Sequence, residues 1–162
     1  MLLLGCGGTM SSTSGNPPLN PGTWVSMSEA TSCEVLVPAN CSGLYGFTIS
    51  NSGAFTAGPS PTGQKVVGDI TASEMATLSS AANSYTTSVT GIGPCQINPA
   101  PTGASDVITM TATGANINVY LAGTTGDTVN FICVSADAGA TSALVSAFQA
   151  LRLKYYPNPF PS

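Results

Sequence analysis

The sequence predicts an α+β domain: a mainly antiparallel sheet of about five to six strands with two helices packed on one face, stapled by two disulfides. Three observations predict it. Short runs of β-branched and aromatic residues recur between Gly, Pro and Asn turn signals. Two longer segments carry apolar residues at helical spacing, and the order runs strands, helix, strands, helix. Four cysteines, Cys33, Cys41, Cys95 and Cys133, lie in the body of the chain.

Taken in order, residues 25–42 contain the apolar run Val35-Leu36-Val37, stopped by Pro38 and flanked by Cys33 and Cys41, which reads as an edge strand or a stapled loop. Leu44 to Ser50 reads as a strand, and Asn51-Ser52-Gly53 turns it into Ala54-Phe55-Thr56, the clearest hairpin signal in the chain. The stretch from Gly58 to Gly63 reads as loop, and Gln64 to Val67 as a short strand. Thr71-Ala72-Ser73-Glu74 has the form of a capping box, in which hydroxyl and carboxylate each satisfy a backbone amide of the other residue. Leu78, Ala82, Tyr85 and Val89 follow on one face, predicting a helix over about 72–86.

Gly91 to Gly103, dense in glycine and proline, reads as loop. Asp106 to Thr113 alternates a threonine face (Thr109, Thr111, Thr113) with an apolar one (Ile108, Met110, Ala112), as a half-buried strand does. Gly114-Ala115-Asn116 turns it into a partner strand over 117–121, and 128–134 gives another that contains Cys133. A closing helix over about 141–155 places Arg152 and Lys154 in its last turn, where cations complement the helix dipole. The folded domain is thus expected over 24–156, followed by a proline-rich tail at 157–162.

Composition narrows function by exclusion. The chain has 162 residues, of which only 6% are charged, with three basic residues, seven acidic ones and no histidine. A typical protein carries about a quarter charged residues. Twenty serines and twenty threonines therefore supply much of the polar surface. Three cations cannot neutralise a phosphate backbone, so no nucleic-acid partner is expected. The absence of histidine removes the commonest general base and any Ser-His-Asp or Cys-His arrangement. No phosphate-binding glycine loop or calcium loop is present, and a cofactor, a metal site and catalysis are not expected. Lys65 reads as a solvated charge at a strand start.

Residues 1–23 read as a truncated signal with a lipobox and a flexible tether. Leu3-Leu4-Gly5-Cys6 looks like a bacterial lipobox, which implies lipidation at Cys6 and membrane contact only through that lipid. Gly7 to Thr23 is rich in Gly, Ser, Asn and Pro, the composition of a spacer. Setting Cys6 aside leaves four cysteines for two disulfides, for which Cys33–Cys41 and Cys95–Cys133 are the favoured of three connectivities. Paired cysteines imply an oxidising compartment.

Most aromatic residues fall on strand or helix faces and read as core, with Tyr155, Tyr156 and Phe160 the least core-like. Those three are candidates for partner binding, or for docking back onto the sheet.

The layout from Tyr45-Gly46-Phe47 through the hairpin, the helix start at Ile70 to Glu74, the paired strands at 106–121 and the closing Ala143–Arg152 helix resembles emfourin-type domains, small bacterial inhibitors of thermolysin-like metalloproteases. That resemblance covers about 110 residues at the level of pattern and carries across no reactive residue. The expectation from the residues themselves is a non-catalytic cell-envelope or secreted bacterial protein acting by binding or assembly, with a protein or surface polymer as partner. An inhibitor of extracellular metalloproteases, implied by the resemblance, and a self-associating fibre or layer subunit are the alternatives.

Overall fold

The computed structural model describes residues 19–32, 44–58, 65–94, 107–120, 127–130 and 132–157. Its elements are β1 (Trp24–Ser32), β2 (Leu44–Ser50), β3 (Ala54–Gly58), β4 (Val66–Asp69), α1 (Ala72–Ser88), β5 (Thr90–Pro94), β6 (Val107–Ala112), β7 (Asn116–Tyr120), β8 (Thr128–Val129), β9 (Ile132–Ser135) and α2 (Ala138–Tyr155). These strands form one sheet in the order β4-β3-β2-β1-β6-β7-β8-β9-β5. Every neighbouring pair is antiparallel.

The architecture is therefore α+β as expected, but the described residues form nine strands rather than five to six. Three causes account for the difference. β1, an interior strand between β2 and β6, has serines at 26 and 28 and a glutamate at 29, and a register shift between Trp24 and Ser26 breaks its alternation. β5 is Thr-Gly-Ile-Gly-Pro, a sequence with turn composition that survives as a strand because it lies at the sheet edge and pairs only with β9. The run 128–134 is two strands rather than one: Asn130 has φ 46, a left-handed conformation that asparagine tolerates, and the chain reverses there.

Helices α1 and α2 lie antiparallel and are tied at both ends. At one end the Asp137 amide donates to Ser88 Oγ at 3.1 Å. At the other, Lys154 Nζ meets Glu74 Oε1 at 2.6 Å. α1 begins as its sequence predicts: Thr71 Oγ1 accepts from the Glu74 amide, and Glu74 Oε2 accepts from the Thr71 amide at 2.8 Å. α2 begins at Ala138, three residues before the expected start, because Asp137 Oδ1 caps the Ala140 amide at 2.9 Å. α1 joins β4 to β5, the two edges of the sheet, so its 17 residues carry the chain across the sheet's inner face.

The core lies between that inner face and the helices. Met27, Phe47, Ile49, Ile108, Met110, Ile117 and Val119 meet Leu78, Tyr85, Leu144 and Phe148, all but fully buried. Phe47 is the hub of the aromatic packing, with ring centroids 5.7 Å from Phe55 and 5.6 Å from Phe148. Residues before β1 close the far side: Leu19 N donates to Val89 O, Gly114 N to Pro21 O and Thr113 N to Thr23 O. Gly22 sits at φ 85 against Thr113, where a side chain would collide with the threonine hydroxyl.

Candidate interaction surface

Alternation along each strand sends most apolar side chains to the helices and most polar ones to the opposite face, with Glu29 turned inward and Val67, Val107 and Tyr120 outward. What the polar ones are is distinctive. The pairings Thr56↔Thr48, Thr48↔Ser28, Ser28↔Thr109, Thr109↔Asn118 and Asn118↔Thr128 run in unbroken register across β3, β2, β1, β6, β7 and β8. One row therefore presents hydroxyl, hydroxyl, hydroxyl, hydroxyl, amide, hydroxyl. With neighbouring strands about 4.8 Å apart, it extends about 24 Å. A second row, Ser50↔Ser26↔Thr111↔Asn116, runs beside it over β2, β1, β6 and β7. Neither row contains a charged residue.

The rows are partly ordered from within. Thr109 Oγ1 donates to Asn118 Oδ1 at 3.1 Å, and Asn118 Nδ2 donates to Thr128 Oγ1 at 3.4 Å. Thr128 is buried, whereas Thr48, Thr56 and Asn116 are exposed and Ser26, Ser28, Thr109, Thr111 and Asn118 half-buried. The expected threonine stripe is corrected at one end: Thr109 and Thr111 belong to the surface, but Thr113 lies beyond β6, with its amide bonded to Thr23 O. Such an array of donors and acceptors at fixed spacing suits a neutral, hydrogen-bonding polymer or a polar protein surface.

Most of the described ionisable groups, by contrast, are engaged in holding the fold, Lys65 and Asp69 at the β4 edge excepted. Glu29 is 4% exposed on the inner face, where Oε2 receives Arg152 Nε at 3.3 Å. Asp127 Oδ2 accepts from Tyr85 OH at 2.7 Å and Oδ1 from the Tyr120 amide at 3.1 Å. Burial, and then the adjacent Asp127 carboxylate, push the Tyr85 hydroxyl well above its ordinary pKa. Glu74 is held down to about 2, first by its bond to Lys154, then by the Thr71 amide and the Tyr155 hydroxyl. The same contact raises Lys154. Asp137 is a helix cap. Among the described residues, no three His, Cys, Asp or Glu side chains come together in a way that would hold a metal ion, and no helix is long and apolar enough to cross a membrane.

Of the expected partner-binding residues, Tyr156 is buried at 5% exposure. Tyr155 is half-buried, its ring centroid 4.6 Å from Phe55 and its hydroxyl donating to Glu74 Oε2 at 2.8 Å. The end of α2 thus packs these two rings into the domain, and Phe160 lies outside the described residues. Cys133 is disulfide-bonded. Cys6, Cys33, Cys41 and Cys95 lie outside the described residues, as does the 35–37 run. Sequence reading missed the aligned rows as a unit; the signal available was the surplus of serine and threonine at alternate strand positions.

Comparisons with protein-family models, curated proteins and solved structures find no match for this chain.

Proposed function

We propose that this is a non-catalytic cell-envelope or secreted protein that binds an uncharged surface polymer, or a partner of similar polarity, through the outer face of its sheet. The observation that carries the reading is the unbroken row from Thr56 to Thr128, aligned by strand register across six strands. A surface that served only for solubility would be served as well by lysine or glutamate, and the rows contain neither.

The disulfide at Cys133 supports an oxidising compartment. In this reading its partner is Cys95, as in the favoured one of the three connectivities. Cys33–Cys41 forms the second staple, and Cys6, at the lipobox-like Leu3-Leu4-Gly5-Cys6, carries the lipid. Catalysis is not part of the reading, since Glu29, Glu74, Asp127 and Asp137 are each committed to a structural contact.

Co-sedimentation with purified cell wall and with insoluble neutral polysaccharide tests it. The wild-type chain is expected to pellet with at least one of them, and a Thr48→Val/Thr109→Val/Thr111→Val variant to stay in solution while retaining its fold. Equal pelleting of both chains would overturn the assignment of the outer face.

A further inference from the structure

The two edges of the sheet are built differently. β5 carries a bulge between Gly91 and Gly93 and ends in Pro94, which has no amide to donate, and Leu19 is bonded to Val89 at its start. β4, at the other edge, is regular along its pairing with β3. Val67 is 71% exposed there, and among the described residues no strand lies beyond it.

The chemistry of β4 is self-complementary. Lys65, Val67 and Asp69 alternate onto the outer face with Thr56 and Ala54, as the Thr56↔Val67 and Ala54↔Asp69 pairings require. All three are exposed. The described ion pairs engage Arg152 and Lys154, with Glu29 and Glu74, and leave Lys65 and Asp69 without an opposite charge among the described residues.

Backbone direction follows from one bond. Ile70 N donates inward to Gly53 O at 3.0 Å, so by alternation Gly68 and Val66 also face β3, while the amide and carbonyl groups of Asp69, Val67 and, continuing the pattern, Lys65 face away from the sheet.

We propose that β4 pairs with β4 of a second copy of this chain, antiparallel about a two-fold axis through Val67. In that register Val67 meets Val67, and Lys65 of each copy stands opposite Asp69 of the other. The outward amides and carbonyls of all three residues are then hydrogen-bonded pairs, the closely bonded arrangement of an antiparallel ladder. An isologous contact of this kind closes at two copies and does not propagate. Its axis is perpendicular to the sheet, so the two outer faces join into one continuous surface. A contact confined to one strand edge buries well under the ~1,000 Å² of a permanent interface, so the association is reversible in the micromolar to millimolar range. The proposal stands independently of what the outer face binds.

Sedimentation velocity of the full chain at rising concentration, with charge-swapped variants, tests it. The wild-type chain is expected to approach twice the monomer mass. Lys65→Glu alone and Asp69→Lys alone each set like charges opposite one another twice per dimer and should weaken association about tenfold or more. The double variant, and an equimolar mixture of the two single variants, should recover wild-type association. Val67→Pro, which removes an outward amide and leaves the inward bonds to β3 intact, should abolish it while circular dichroism is unchanged. A wild-type chain that stays monomeric at millimolar concentration would overturn the proposal. So would a dimer indifferent to the single swaps, single swaps that the mixture does not rescue, or a Lys65→Ala variant that associates more strongly, the mark of a lysine placed to block the edge.

Discussion

The two faces of the sheet are drawn from the same strands at alternate positions, yet they carry different burdens. The inner face holds Met27, Phe47, Ile49, Ile108 and Met110, each at most 1% exposed, and the helices sit on it. The outer face holds Ser28, Thr48, Thr109 and Asn118 in register, each exposed or half-buried. Stability belongs to the inner face, and the proposed recognition to the outer one. A substitution should therefore reveal its face by what it damages.

The largest effect expected is from Phe47→Ala on the inner face. It removes the ring packed between Phe55 and Phe148 and leaves a cavity where helix and sheet meet. Loss of about 3 to 5 kcal/mol of unfolding free energy is expected in urea denaturation, enough to unfold a marginal domain. A loss below about 1 kcal/mol would show that this junction is not close-packed.

Next is Arg152→Ala, which strands the buried Glu29 carboxylate beneath α2. Because Arg152 is itself a quarter exposed, about 2 kcal/mol is expected instead of the larger cost of a fully buried pair. Replacing both residues, with Glu29→Gln beside Arg152→Ala, should recover part of the loss, since no unpaired charge is then left inside. A double variant no more stable than the single one would show that the loss does not come from a stranded Glu29 charge.

Smaller still is the contribution of Glu74, which joins the α1 cap to the end of α2 at the molecular surface. Its folded pKa, about 2, lies below the ordinary value of 4.5, so its stabilising contribution is complete above pH 4.5 and is lost as pH falls towards 2. The melting-temperature difference between the wild-type chain and Glu74→Gln should shrink through that window. A difference constant from neutral pH to pH 2 would mean that the ionised carboxylate is not what ties the helices.

How much of this was legible in the residues follows the range of the interaction. Thr71 and Glu74 stand three positions apart, so the capping box could be read directly and the helix starts where it says. The hairpin at Asn51-Ser52-Gly53 was equally local, with Gly53 at φ 93. β1 was hidden because the reason for Glu29 to be in a buried strand is Arg152, 123 positions away. β5 was hidden because its glycines and proline mimic a loop until β9 pairs with it. The cap at Asp137 was overlooked because Gly139 weakens the helical signal behind it.

The outer surface was legible only in fragments. Thr109 and Thr111 could be read as a stripe from their own strand, but their alignment with Ser28, Thr48 and Asn118 depends on strand order and register, which bring β1 between β2 and β6. Composition announced the hydroxyls, and topology decides that they form a surface.

The central claim is that this outer face is where a partner is bound. Mapping amide chemical shifts while titrating the wild-type chain with a soluble fragment of whichever polymer co-sediments with it tests that claim most directly. The account predicts shifts concentrated at Ser26, Ser28, Thr48, Thr109, Thr111 and Asn118. Shifts gathered instead on the exposed sides of α1 and α2, with the sheet's outer face unmoved, would contradict it.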